Sequence, residues 1–269
     1  MWVSYSLWLQ FQPKLGWEEY HCHRKRGFAR ARGKEAGIAE LRQQDTTAQK
    51  IGKLAQQAVY YLYHYPEYLN QEGINFIANH FLQLEQETKE IQNRISAILE
   101  EYLYYPFLQN KKVLSLTSGE ESQPSFVYIG TAYPKVKLSF VYDCIIQKAD
   151  NHIHIVDFKT GKTQFQPDLR QAFVYLVAAR HLYPNYTVTA SFYHLEFAQE
   201  SEIYSATEEE LELITNQLQR VAQNHQRELK AYHQSPDQFN HIFPATPGKV
   251  CNHCPFTSVC ETYDEFFNH

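Results

Sequence analysis

The chain of 269 residues has no apolar run long enough to cross a bilayer, which excludes a membrane-spanning helix as its organising element. The opening, Met1-Trp2-Val3-Ser4-Tyr5-Ser6-Leu7-Trp8, has neither a basic start nor a small-residue cleavage site. No secretory leader is therefore expected, and a cytoplasmic location is predicted. A formal net charge of -5 provides no global attraction to polyanions, so any contact with nucleic acid must come from a local basic patch. No G-x-x-x-x-G-K-[ST] run occurs, which excludes a P-loop ATP-driven motor within the chain. No segment repeats at a period of about 20–50 residues, which excludes a solenoid or propeller.

What remains is a composition of 43% hydrophobic and 20% charged residues, that of a globular protein able to bury a substantial core. Residues 136–146 and 152–158 are rich in Val, Ile, Leu, Phe and Tyr and flank the polar run Lys148-Ala149-Asp150-Asn151, the signature of an antiparallel hairpin. A turn centred near Asp150 sets Asp143 opposite Asp157 on one face, and Lys159, two residues on, shares that face. Two adjacent carboxylates repel unless positive charge lies between them. A hard divalent cation such as Mg2+ satisfies this with oxygen ligands, and an ammonium beside it can stabilise charge on a phosphate or orient an attacking water. This set of groups suits phosphodiester hydrolysis. The next helix is predicted to start after Pro167-Asp168 and to end before Pro184, placing Gln171 and Tyr175 on one face, where they can contact substrate or hold Lys159.

Asp143, then Asp157-Phe158-Lys159-Thr160-Gly161, then Gln171-x-x-x-Tyr175 resembles, in kind, order and spacing, the RecB-type branch of the PD-(D/E)XK nuclease superfamily. The resemblance runs through most of the chain after about residue 45. It implies an α/β fold, a mixed central β-sheet flanked by helices in a restriction-endonuclease-like core, with the N- and C-terminal segments joined by a metal cluster. Three regions are expected: residues 1–45 with a basic patch and a first cluster cysteine, a nuclease core over 46–235, and a cysteine segment over 236–269. Asp143, Asp157 and the main-chain carbonyl of Phe158 are the implied ligands of Mg2+ or Mn2+, with Lys159, Gln171 and Tyr175 completing the catalytic set. In RecB-like nucleases a Gly-x-x-x-His element of the first helix supplies a further ligand; here Gly52 is followed four residues later by Gln56, a weak oxygen ligand.

The run from His21 to Lys34 carries six basic side chains and no acid; Arg24, Lys25, Arg26, Arg30 and Arg32 are the candidate DNA contacts. Near the C-terminus Cys251, Cys254 and Cys260 follow C-x2-C-x5-C spacing, which in a reducing compartment indicates a metal or cluster in place of disulfides. Cys144 lies within an apolar strand and reads as core, leaving Cys22 as the fourth thiolate. This fits those RecB-like nucleases, AddB-type and CRISPR-associated exonucleases among them, that hold a 4Fe-4S cluster with one cysteine before the core and three after it. The alternative is a tetrahedral Zn2+ with Cys22 or His253 as fourth ligand. The resulting expectation is an exonuclease acting on single-stranded DNA or DNA ends in repair, recombination or CRISPR adaptation, beside a separate helicase or CRISPR integrase. The alternative is a DNA-binding or scaffold subunit that keeps the fold and cluster without hydrolysis, Gln56 being its main support.

Elsewhere, apolar spacing predicts a helix over 46–64, two helices or one bent helix over 73–105, and a long amphipathic helix from Thr207 to about Tyr232. Strands are predicted at Leu114–Leu116, Phe126–Gly130 and Thr187–Glu196, with a polar loop over Ser118–Ser125.

Overall fold

A computed structural model describes residues 1–13, 15–43, 45–119, 124–130, 135–161 and 168–263. Part of the predicted loop at 118–125, together with Lys162 and Pro167, lies outside the described residues. The chain divides into two compact units, Met1–Gln44 with Tyr128–Leu138 and Thr215–His269, and Asp45–Val127 with Ser139–Ile214.

The second unit is built on a five-stranded sheet of order β2-β5-β6-β7-β8: Lys112–Leu116, Cys144–Ala149, His152–Lys159, Thr187–His194 and Gln199–Glu200. All neighbours are antiparallel except β6 and β7, which are parallel and joined by helix α7, Leu169–Leu182. Asp168 caps α7 by accepting from Arg170 N at 3.0 Å. The central strands β6 and β7 are buried along most of their length, whereas the edge strands β2 and β8 are largely exposed. One face meets helix α4, Thr47–His64, and helix α6, Lys89–Tyr104. Helix α4 begins in a capping box between Thr46 and Gln49 and turns Ile51, Leu54, Ala55, Ala58, Val59 and Leu62 inward at i, i+3, i+4 spacing. Helix α6 answers with Ile91, Ile95, Ile98, Leu99 and Tyr102, and Cys144, Ile146 and Val156 complete this core. Between the two helices the chain runs through α5, Gln71–Phe76, and a π-helical turn, Ile77–Phe81.

In the β5–β6 hairpin Cys144 faces Val156, Ile145 faces Ile155 and Ile146 faces His154. Residues 136–146 do not form one strand as predicted. They divide into β4, Val136–Phe140, and β5, and Asp143 sits at the break, immediately before β5 begins. Nor is there a single sheet: β4 belongs to a three-stranded sheet of order β1-β4-β3, with β1 at Trp2–Ser4 and β3 at Ser125–Ile129.

In the first unit, helices α1, Tyr5–Phe11, and α2, His23–Arg30, pack with the C-terminal part of α8, Glu208–Gln234. A separate cluster of Phe28, Ile38, Phe239, Phe243 and Phe256 ties α2 to the last forty residues or so of the chain. No helix among the described residues is long and apolar enough to cross a membrane.

Candidate active site

Asp143, Asp157, Lys159, Gln171 and Tyr175 converge at one end of the β5–β6 hairpin, within the second unit. Asp143 is positioned by backbone: its Oδ2 accepts from Phe158 N at 2.8 Å, across the hairpin. Its Oδ1 accepts from Gln56 Nε2 at 3.2 Å. Asp157 is 3% exposed, and its Oδ1 accepts from Gln171 Nε2 at 2.8 Å and from the Tyr175 hydroxyl. The other oxygen, Oδ2, lies against the Lys159 ammonium as an ion pair but receives no hydrogen bond. Lys159 Nζ also donates to Gln171 Oε1 at 2.8 Å, so one amide grips both the lysine and the acid. The i, i+4 spacing on α7 brings this about, and Gln171 Nε2 lies 2.8 Å from the Tyr175 hydroxyl as well. Tyr175 is in turn tied to Tyr142, whose hydroxyl donates to the Tyr175 carbonyl at 3.1 Å.

The electrostatics follow from the burial of two acids against one ammonium. Burial first, and the neighbouring Asp157 second, push the Asp143 carboxyl up to about 8, with the Phe158 N–H, Lys159 and Gln56 pulling the other way. Burial, then the charges of Asp157 and Asp143, hold the Tyr175 phenol well above its ordinary value, so it serves as a donor. The pair of acids has one ammonium between them, and Asp157 Oδ2 meets it as an ion pair without a well-aligned hydrogen bond. Both features, with a donor set of hard carboxylate oxygens, fit a divalent cation between Asp143 and Asp157.

Gln56 is the point at which the geometry corrects the sequence reading. Its nitrogen is fixed by acceptors, the Thr117 carbonyl at 3.2 Å, Thr117 Oγ1 at 2.7 Å and the Asp143 carboxylate. The Thr117 carbonyl can only accept, so Gln56 turns an N–H toward Asp143 and not the oxygen a metal ligand would offer. Thr117 itself was invisible to motif reading, as was Glu196, which accepts from Gly161 N at 2.8 Å and pairs with Arg94, thereby holding the turn after Lys159. An acid at the end of a predicted strand was the only signal for Glu196.

The basic run also needs correction. Arg24 and Arg26 are 5% and 2% exposed and cannot meet a phosphate backbone. Arg24 Nε donates to Phe243 O at 2.6 Å, and Arg26 pairs with Glu228 at 2.5 Å and donates to Gln10 O at 2.5 Å. Arg30 lies over the Trp2 ring, and Arg32 pairs with Glu35 at 2.7 Å. Lys25 borders a small cavity in the first unit that is also lined by Cys22, Cys251, Cys254 and Cys260. Burial raises the Cys254 thiol, and Cys22 and Cys251 add to this. The thiols share this cavity wall without closing on a common point: among the described residues no three His, Cys, Asp or Glu side chains are grouped to hold a metal ion. Cys144 is 1% exposed core, its thiol pushed up to about 12 by burial.

No curated protein matches the chain. A solved structure described as the crystal structure of SSO0001 aligns over 78% of this chain and 84% of its own, at 15% identity and a TM-score of 0.32, a likeness too slight to bear on function. The PD-(D/E)XK nuclease superfamily matches residues 25–261, a span that takes in the two acids, the lysine and the helix carrying Gln171 and Tyr175. The chain therefore belongs to the PD-(D/E)XK nuclease superfamily.

Proposed function

We propose that the chain is a metal-dependent deoxyribonuclease of the RecB-like branch, an exonuclease acting on single-stranded DNA or DNA ends. The reading is carried by the meeting of Asp143, Asp157 and Lys159 at one end of the hairpin. Asp143, Asp157 and the Phe158 carbonyl would hold Mg2+ or Mn2+, which when bound supplies Lewis acidity toward a phosphoryl oxygen and acidifies a water. The protein groups do the rest. Gln171 and Tyr175 fix Oδ1 of Asp157 and leave Oδ2 turned to the Lys159 ammonium. Gln171 Oε1 and Asp157 Oδ2 together hold the Lys159 ammonium beside the acids, where it can face a phosphate. Replacing Lys159 by Ala is expected to lower hydrolysis of a labelled single strand by about 10²–10⁴-fold, the range for a positioned proton or charge donor, with DNA binding retained. Equal cleavage by the variant overturns the mechanism.

A second reading, a DNA-binding or scaffold subunit without hydrolysis, is favoured by the Gln56 N–H directed at Asp143. Binding without cleavage in either Mg2+ or Mn2+ selects it. In both readings Cys22, Cys251, Cys254 and Cys260 would hold a 4Fe-4S cluster, with Zn2+ as the alternative occupant, by closing in from the cavity wall they share; the soft thiolate donors suit either. Iron against zinc content of the purified protein separates the two. Repair, recombination or CRISPR adaptation in the cytoplasm, with a separate helicase or integrase, is the setting this activity suits.

A further inference from the structure

One wall of the second unit is locally irregular in three successive ways. After α5 the chain widens into the π-helical turn Ile77–Phe81, then takes a left-handed conformation at Gln83, φ 49°, and then tightens into a 3-10 turn at Leu84–Gln86. π turns gather at functional sites, and a left-handed residue other than glycine costs on the order of 1–3 kcal/mol. The buried side chains Ile77, Leu82 and Leu84 anchor this wall, while Gln83 and Gln86 are left exposed.

Helix α4 forms the facing wall, and between the two lies a groove of about 400 Å³ lined by Lys50, Lys53, Gln57, Phe81, Gln83 and Gln86. Asp45, Leu54, Leu82, Glu87 and Gly119 complete the lining, Gly119 in the left-handed region at φ +81° and packed so close to Gln56 that an added Cβ would come 2.8 Å from Gln56 Oε1. The groove therefore adjoins the amide that holds Asp143. Gln57 is 6% exposed and lines the groove, where its amide is open to a ligand. Lys50 and Lys53 are paired with Glu87 at 2.8 Å and Asp45 at 2.5 Å, but with lysine side chains about half exposed. The Lys53–Asp45 pair is exposed on both sides and contributes little, whereas Glu87 is 14% exposed and holds Lys50 from a more buried position.

On the nuclease reading, we infer that this groove seats one nucleotide of a single strand next to the bond held at Asp143 and Asp157. Lys50 and Lys53 take its phosphate. The amides of Gln57, Gln83 and Gln86 take its base edge, since an amide both donates and accepts as base edges do. The volume lies in the range of pockets that enclose small organic ligands.

The test is binding of a fluorescein-labelled single-stranded 12-mer to the full chain without divalent metal, followed by anisotropy across a salt series. Lys50→Ala with Lys53→Ala is expected to weaken binding tenfold or more and to flatten the log–log salt slope by about 1.4, two phosphate contacts at roughly 0.7 each on a single strand. Gln57→Leu is expected to weaken binding at least threefold with an unchanged melting temperature. Lys148→Ala, a control that removes a single lysine charge at the turn end of β5, binds as the parent does. Parent-like binding by the double variant and by Gln57→Leu overturns the inference, as does a parent that binds no 12-mer. A parent that binds but cleaves in neither Mg2+ nor Mn2+ overturns the nuclease reading alone; losses in the groove variants then still support the groove.

Discussion

Arg26 shows at the scale of one residue how a charge read as functional is structural. Its guanidinium makes hydrogen bonds to both oxygens of Glu228, at 2.5 and 3.1 Å, donates to Gln10 O, and lies 4.0 Å over the Phe11 ring. The side chains are 1% and 21% exposed, and burial, ahead of the opposing arginine, raises the Glu228 carboxyl. Removing one partner of such a pair leaves the other charge uncompensated. Arg26→Met is therefore expected to cost about 3 kcal/mol, the low end for broken buried pairs because Glu228 retains some solvent. Urea unfolding checks the loss, and the salt dependence of DNA binding should not change, since Arg26 cannot reach a phosphate. The sequence pattern showed where basic residues cluster but not which way they turn, since that depends on Gln10, Glu228 and Phe243, all distant in the chain. The acids and lysine were more legible because alternation along a hairpin fixes the face they share.

At the scale of elements, helix α2 depends on a residue that intrinsic propensity disfavours. Gly27 lies mid-helix, where Ala would be preferred by about 1 kcal/mol, yet a Cβ there would come 2.5 Å from the Phe243 ring. Phe243 is wholly buried and belongs to the cluster with Phe28, Phe239 and Phe256. Gly27→Ala is expected to destabilise by about 1–3 kcal/mol, overpacking outweighing propensity, as thermal or urea unfolding will read. Helix α8 makes the companion case for pH. His225 is 3% exposed, faces the edges of Trp2 and Phe11, and is lowered to about 4 by burial first, then by Arg30 and Arg26. Its folded value is below the ordinary 6.5, so the unfolded chain takes up this proton first. Stability contributed by the neutral ring is thus full above pH 6.5 and declines as pH falls toward 4; His225→Phe should flatten that part of the unfolding profile. Elements with clear periodicity, α4, α6, α7 and α8, were legible for this reason. The break at residues 141–143 and the short elements β1, α1 and α3, Ala36–Gln43, were not. An apolar run cannot say where one strand leaves a sheet and the next joins another, because partner strands decide that.

At the scale of the whole molecule, the chain enters each unit more than once, and the first unit is assembled from both ends of the sequence. Protein contacts already join those ends: Arg24 N donates to Pro244 O at 3.1 Å, and Lys249 pairs with Glu19 at 2.8 Å. A metal group shared by Cys22 and the 251–260 thiols would add a covalent closure over more than two hundred residues. By loop-closure entropy this restricts the unfolded chain by roughly 5 kcal/mol, an upper bound where the unfolded ends keep some contact. Cys22→Ser removes the one proposed ligand that lies far from the others in sequence. It is expected to lower bound iron or zinc to below half of the parent content and to lower the melting temperature by several degrees. The residues proposed to carry hydrolysis all lie in the second unit, so cleavage measured well below the transition should persist. Metal analysis and thermal unfolding of the same preparation decide the matter: parent-like metal content with parent-like melting would show that Cys22 closes nothing.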